Sequence, residues 1–379
     1  MIPYGRHKVE EEDIQAVVDV LHSANLTQGP EIAKFENAFA EYVGAQFAVA
    51  VSNGTAALHL CAMALNTKPG DKVVTSPITF VASANCVRYC GGEVVFADID
   101  PETFLLDINK VRKLLESSPP NTFKGIIPVD FAGYPVNIEE FRKLADEYGL
   151  WLIEDACHAP GGYFYSKNGE RQYCGNGHYT DLTAFSFHPV KHIAAGEGGM
   201  ITTNNEELYR RILNLRTHGI QQDYSKLTEN HGSWYYEMQE LGYNYRLTDI
   251  QAALGLSQLK RASANLERRH KIAKKYDEAF KNTPIQTPKV SKNFSHAYHL
   301  YVIRTDNRDE LVKYLRESDI FAQVHYIPVH YQPYYRDLGW KKGDFPVAEA
   351  YYRQCLSIPL YPSLTDAEQD FVIEKILAF

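Results

Sequence analysis

Long apolar runs are missing from this 379-residue sequence: none approaches the roughly 20 residues that a membrane-spanning helix needs. A helical membrane protein is excluded, and no membrane partner is expected. The opening segment MIPYGRHKVEEEDIQ lacks the basic-then-apolar order of a secretory signal, so a cytoplasmic location is expected. Paired CxxC spacing is absent as well. The six cysteines (Cys61, Cys86, Cys90, Cys157, Cys174 and Cys355) are scattered, which fits reduced thiols rather than a disulfide framework. Cys174 and His178 could approach Cys157 and His158 and imitate a metal site, but recognised ligand spacing is lacking and no metal is expected. Positive charge is in deficit, with 39 Lys and Arg against 47 Asp and Glu and a net charge of -8. That balance argues against a nucleic-acid partner, while a helix start can still bind a small anion. Neither a GxGxxG after a strand nor a GxxxxGK[ST] occurs, which removes the dinucleotide and P-loop readings.

What is present is alternation. Ile14, Val17, Val18 and Leu21 recur at helical spacing in residues 10–23, as do Ile32, Phe35, Phe39 and Tyr42 in residues 31–43. After these two amphipathic helices, short apolar runs (47–51, 72–76, 93–97, 124–130, 150–155, 182–187 and 199–203) alternate with helical stretches. This order predicts an α/β fold with a mostly parallel sheet covered by helices on both faces. The length exceeds one usual core, so a large domain over 1–250 is expected, then a smaller α+β domain over 251–379. A long helix near 248–281 would join them. Ligands of such sheets bind at the carboxyl ends of the strands, which singles out Asn53–Thr55, Pro77–Phe80, Asp155–His158 and Ser186–Lys191.

The segment SFHPVKHIAAGEGGM (186–200) sets Lys191 between a strand end and a glycine-rich turn, where it would point into the crevice. Desolvation disfavours the ammonium form, and a neutral amine can attack an aldehyde. LWLIEDACHAPG (150–161) ends a buried strand with two acids, a costly arrangement without a cationic partner. A protonated pyridine nitrogen would be such a partner for Asp155; a helix N-cap is the equal alternative. In VSNGTAALHLCAMAL (51–65), Thr55 and free amides open an Ala/Leu-rich helix, which suits a phosphate or an ordinary cap. Ser186 offers a further hydroxyl, and Phe80 offers either a stacking face or core packing.

In this order, LTQGPEIAKFE (26–36), SNGTAALHL (52–60), SPITFVASAN (76–85), VVFADID (94–100), IEDACHAPG (153–161), SFHPVKHIAAGEGGM, RTHGI (216–220) and LGYNYRLTDIQAALGLSQL (241–259) closely resemble the DegT/DnrJ/StrS family of sugar-nucleotide aminotransferases. The resemblance covers nearly the whole chain. It implies a fold-type I transferase dependent on pyridoxal 5'-phosphate (PLP), with a large mixed, mostly parallel sheet domain and a small C-terminal α+β domain. It makes Lys191 the Schiff-base lysine and proton shuttle, and Asp155 the partner of the pyridine nitrogen. Gly54, Thr55, Ala56 and Ser186 become the phosphate cradle, with Phe80 on the ring. Asn244, with Arg246 nearby, would reach the cofactor of a neighbouring subunit, so the resemblance implies a homodimer with a shared active site.

His158 stands where the family usually has Gln. With MIPYGRH, WYYEMQELGYNYR (234–246) and YHLY (298–301), it makes the chain look most like the enzymes of pseudaminic acid biosynthesis. Those move an amino group from L-glutamate to C4 of a UDP-linked 4-keto-6-deoxy N-acetyl hexosamine. Tyr326, His330 and Tyr331 are candidates for the nucleotide anchor, against simple packing of a Tyr/Pro-rich stretch. Tyr4, Gln28, His218 and His299 are further candidate sugar contacts. The competing readings are a C3-keto or other 4-keto substrate, or a non-catalytic relative that binds PLP or sugar nucleotide. Sugar dehydratases of the family carry a histidine in place of the lysine, which Lys191 argues against.

Overall fold

The structure is a computed structural model that describes all residues, 1–379. Seven strands form the central sheet: β1 (Phe47–Val51), β2 (Lys72–Thr75), β3 (Glu93–Phe96), β4 (Phe123–Ile127), β5 (Trp151–Asp155), β6 (Leu182–Ser186) and β7 (Gly199–Thr203). Their order across the sheet is β1-β7-β6-β5-β4-β2-β3, parallel except for β7, which runs against both β1 and β6. Strands buried on both faces need no hydrophobic alternation, and β7 accordingly reads GMITT with every residue buried.

The two opening helices form as the periodicity predicts, α1 at Glu11–Leu21 and α2 at Pro30–Val43. Gly44 takes the left-handed conformation (φ 79°) that ends α2, its amide returning to the Ala40 carbonyl at 2.9 Å. Helix α3 (Gly54–Ala64) follows β1 and is buried almost all round, as its Ala/Leu/Cys composition requires. Helix α4 (Ala82–Tyr89) follows β2. No helix is long and apolar enough to cross a membrane.

The single long helix expected near 248–281 is two helices, Asp249–Leu259 and Ala262–Phe280. Arg261 leaves helical geometry between them (φ -102°, ψ 0°), and its guanidinium donates to the buried Asp13 carboxylate at 2.6 Å. Beyond this break, Ile272, Tyr276, Tyr301, Leu311, Ile358 and Ile376 build a separate apolar core. A strand over Tyr301–Arg304 pairs antiparallel with Cys355–Ile358. Alternation along it divides the work: Tyr301 and Ile303 face the C-terminal core, while Leu300 and Val302 join the core of the sheet. Ile2 also belongs to the C-terminal core, because Ile2–Pro3 pairs in parallel with Ile320–Phe321. The sequence reading had the first residues in the large domain only.

Gly125 of β4 stands in register with Trp151 of β5, and a Cβ at Gly125 would fall within the indole ring. Gly125→Ala is expected to destabilise the fold by about 1–3 kcal/mol, read as a lowered urea midpoint, and a smaller residue at Trp151 should restore part of the loss.

Candidate active site

The carboxyl ends of β1, β2, β5 and β6 open onto one cavity of about 700 Å³. Lys191, Asp155, Thr55, Ser186, Phe80 and His158 all line it. The strand-end rule therefore brought together residues as distant in sequence as Asn53 and Lys191 around one space.

Beyond β6 the chain turns, with the Lys191 amide donating to the His188 carbonyl at 2.8 Å, and this turn presents the lysine to the cavity. The Lys191 amine lies 3.4 Å from His299 Nε2. Burial brings its pKa down to about 8, while Cys157 and Asp155 act in the opposite sense. Around it stand the buried histidines His158, His192, His299 and His325, each driven below the usual imidazole range, first by burial and then by charges that include Lys191. The Ala132 amide donates to His158 Nδ1 at 3.2 Å, which assigns the proton to Nε2, 3.2 Å from the Tyr326 hydroxyl. The His158 and His299 rings are 4.4 Å apart.

Alternation along β5 sends its two final acids to opposite sides. Asp155 faces the cavity, taking a hydrogen bond from the Ser83 hydroxyl at 2.6 Å and another from the Cys157 amide at 3.1 Å. Glu154 turns into the core and accepts from the Gly175 amide (2.9 Å) and Thr183 hydroxyl (3.0 Å). Burial raises Glu154 to about 7, and burial with the Glu154 charge raises Asp130 well above the usual range, so this pair is held partly protonated. Cys174 approaches these two acids rather than Cys157 and His158, and His178 instead pairs with Gln172 at 2.8 Å.

At the start of α3, Asn53 is the cap. Its side chain accepts from the Ala56 amide at 2.8 Å, so that amide is engaged within the helix. Gly54 and Thr55, at the first two helical positions, have no carbonyl one turn back to bond. Gly54 is required by close packing: a Cβ there would sit 2.8 Å from Ser186 Cβ and 3.3 Å from Cys157 Sγ.

Phe80 is 56% exposed at the mouth, 6.2 Å from the Tyr326 ring. Tyr4 lines the cavity against His325, with centroids 4.9 Å apart. The segment around Tyr245 runs beside the end of β1 in strand-like alternation, so Tyr245 faces the cavity whereas Asn244 and Arg246 do not. Gln28, His218, His330 and Tyr331 also lie outside it. His330 is completely buried, 3.0 Å from Glu349 and packed on Phe345, so the Tyr/Pro-rich stretch serves packing there and only Tyr326 of the proposed anchor reaches the cavity. Sequence reasoning missed Ser83, Tyr89, Cys157, Tyr245 and His325. Of these, only Cys157 sits within a segment that the strand-end rule had singled out.

Amine, carboxylate and helix start are each held at the end of a different strand, so the sheet itself sets their spacing, as in aminotransferases of fold type I. The chain belongs to the DegT/DnrJ/EryC1/StrS aminotransferase family, whose sequence model matches residues 7–377. It is 42% identical over 384 residues to the spore coat polysaccharide biosynthesis protein SpsC of Bacillus subtilis, covering 99% of this chain and 96% of that protein. Among solved structures, Helicobacter pylori PseC, an aminotransferase of pseudoaminic acid biosynthesis, superposes with a TM-score of 0.89 at 30% identity, covering 100% of this chain and 98% of that one. The PMP-form of the putative sugar aminotransferase Spr1654 from Streptococcus pneumoniae gives 0.89 at 29% identity, with 99% and 98% covered.

Two outcomes follow from the depressed lysine. Labelling of the Lys191 amine in cofactor-free protein should rise with pH about a midpoint near 8; a midpoint near 10.5 would reject the lowering by burial. A lowered folded pKa contributes stability above the unfolded value of 10.5 and loses it as pH falls through about 8. Lys191→Met should therefore unfold at a higher temperature than the wild type at pH 7, by at most about 3 kcal/mol because solvent reaches the stem, with the gap closing toward pH 10.5.

Proposed function

We propose that this sugar aminotransferase uses pyridoxal 5'-phosphate to move an amino group from L-glutamate to C4 of a UDP-linked 4-keto-6-deoxy N-acetyl hexosamine. The observation that carries the cofactor reading is the Lys191 amine, lowered to about 8 by burial and facing the same cavity as the Asp155 carboxylate. The donor set fits the group. Lys191 supplies an amine for the aldehyde, Asp155 an acceptor for the ring nitrogen, and the Gly54 and Thr55 amides with the Thr55 and Ser186 hydroxyls a cradle for the phosphate. Gly54 leaves that cradle open where a Cβ would crowd it. The likeness to PseC supports the C4 keto sugar, as does His158 at the position where the family usually has Gln.

When bound, the pyridoxal ring draws electrons from the carbon that carries the transferred nitrogen and makes its proton removable. Lys191 Nζ takes the α-carbon proton of glutamate in the first half reaction and returns a proton to C4 of the sugar in the second. His299 Nε2, 3.4 Å from that amine, holds its direction between the two tasks. Tyr4, His325 and Tyr326 wall the cavity from the C-terminal side, where they exclude water and orient the sugar, so that binding of the distant nucleotide helps to position the reacting carbon. Asn244 and Arg246, turned away from their own cavity, serve the site of a second subunit in a homodimer.

The test is the visible spectrum of the purified protein with PLP. A band from lysine-bound cofactor should form in the wild type, bleach with L-glutamate and return with the UDP-4-keto sugar, and Lys191→Ala should give none of these changes. Absence of the band in the wild type rejects the cofactor reading; return with a 3-keto sugar alone rejects C4. Subunit sharing has its own readout. Lys191→Ala and Asn244→Ala, each inactive alone, should regain turnover when refolded together, and no recovery would confine each site to one chain.

A further inference from the structure

Asp155 makes no ion pair. Its Oδ2 takes the Ser83 hydroxyl at 2.6 Å and its Oδ1 the Cys157 amide at 3.1 Å. Ser83 lies on the first turn of α4, is completely buried and does not line the cavity, so it touches the site only through Asp155 and Thr79, which do. A second hydroxyl, that of Thr79 on the cavity wall, contacts it: Thr79 Oγ1 is 2.7 Å from Ser83 Oγ. Ser83 has one proton, and the short contact to the carboxylate claims it. The bond between the two hydroxyls is then directed, with Thr79 donating and Ser83 accepting. The Phe80 carbonyl, 3.3 Å from Ser83 Oγ, is left with no proton from that hydroxyl.

We propose that Ser83 is a positioning residue for Asp155: its hydroxyl, itself oriented by Thr79, fixes the edge that the carboxylate presents to the cavity. The inference rests on the reading of Asp155 as the partner of the cofactor's ring nitrogen. Both carboxylate oxygens are pinned from behind, one by a side chain of α4 and one by the backbone following β5. The remaining acceptor directions are aimed forward, into the cavity. The titratable groups that face Asp155 are Cys61 of α3, Cys86 of α4, Glu154, Cys157, Lys191 and Tyr326. Burial pushes the three thiols and the phenol upward, so they stay neutral around it. Without Ser83 the carboxylate is less compensated and free to turn. A poorer hold on the ring-nitrogen proton and a stronger negative charge both favour protonation of the nitrogen joining lysine to cofactor.

The experiment is a pH titration of the visible band of the PLP-loaded protein in the wild type, Ser83→Ala, Thr79→Val and Asp155→Asn. Ser83→Ala is near-isosteric and should move the midpoint upward by roughly one pH unit, the size expected for one hydrogen bond to a charged group. Thr79→Val should move it in the same direction by less. Thermal unfolding of the same samples identifies any variant that fails to fold, and Ser83→Cys, which keeps a weak donor in the same volume, should recover part of the shift. The proposal is overturned if Ser83→Ala titrates with the wild type while Asp155→Asn does not. It falls together with the cofactor reading if the wild type forms no band, so the two failures are distinguishable.

Discussion

The rest of the site is arranged around a buried amine that has no ion pair. Burial alone brings Lys191 down to about 8, against the pull of Asp155 and Cys157. The groups close enough to accept from the amine must then be neutral. His299 and the neighbouring histidines meet that condition because the burial that acts on the lysine also acts on them. Had the fold placed an acid where His299 stands, the amine would be driven further toward the ammonium form and its nucleophilicity reduced.

Beneath the cavity, alternation along β5 prevents the same difficulty. Two consecutive acids on one face would have put two negative charges beside the lysine. One faces the site and the other is withdrawn to the far side of the sheet, where Glu154 and Asp130 are pushed toward their protonated forms. The local field at the amine is therefore set mainly by one carboxylate, and that carboxylate is steadied by neutral donors.

Much of this was legible in the sequence because it depends on local periodicity. Alternating runs gave the order of strands and helices, and the strand-end rule located Asn53–Thr55, Asp155–His158 and Ser186–Lys191. What was not legible depends on meetings between distant segments. His299 lies 108 positions from Lys191 and Ser83 lies 72 from Asp155, and neither distance leaves a spacing signal. The Tyr/Pro-rich stretch misled for a related reason. Aromatic composition is the same whether a residue faces a ligand, as Tyr326 faces the cavity, or a packed interior, as His330 faces Glu349 and Phe345. The expected long helix was drawn through a break that only the Asp13–Arg261 contact explains, a partnership between segments 248 positions apart.

The pairing of Ile2–Pro3 with Ile320–Phe321 brings Tyr4 to the same cavity wall as His325 and Tyr326. During synthesis on the ribosome, the segment carrying Tyr4 emerges well before Ile320–Phe321 and has to wait for that strand before its partner exists. The sheet and its lysine can assemble from the nascent chain well before that wall closes. The order of translation therefore leaves the pocket open on one side until the last elements arrive.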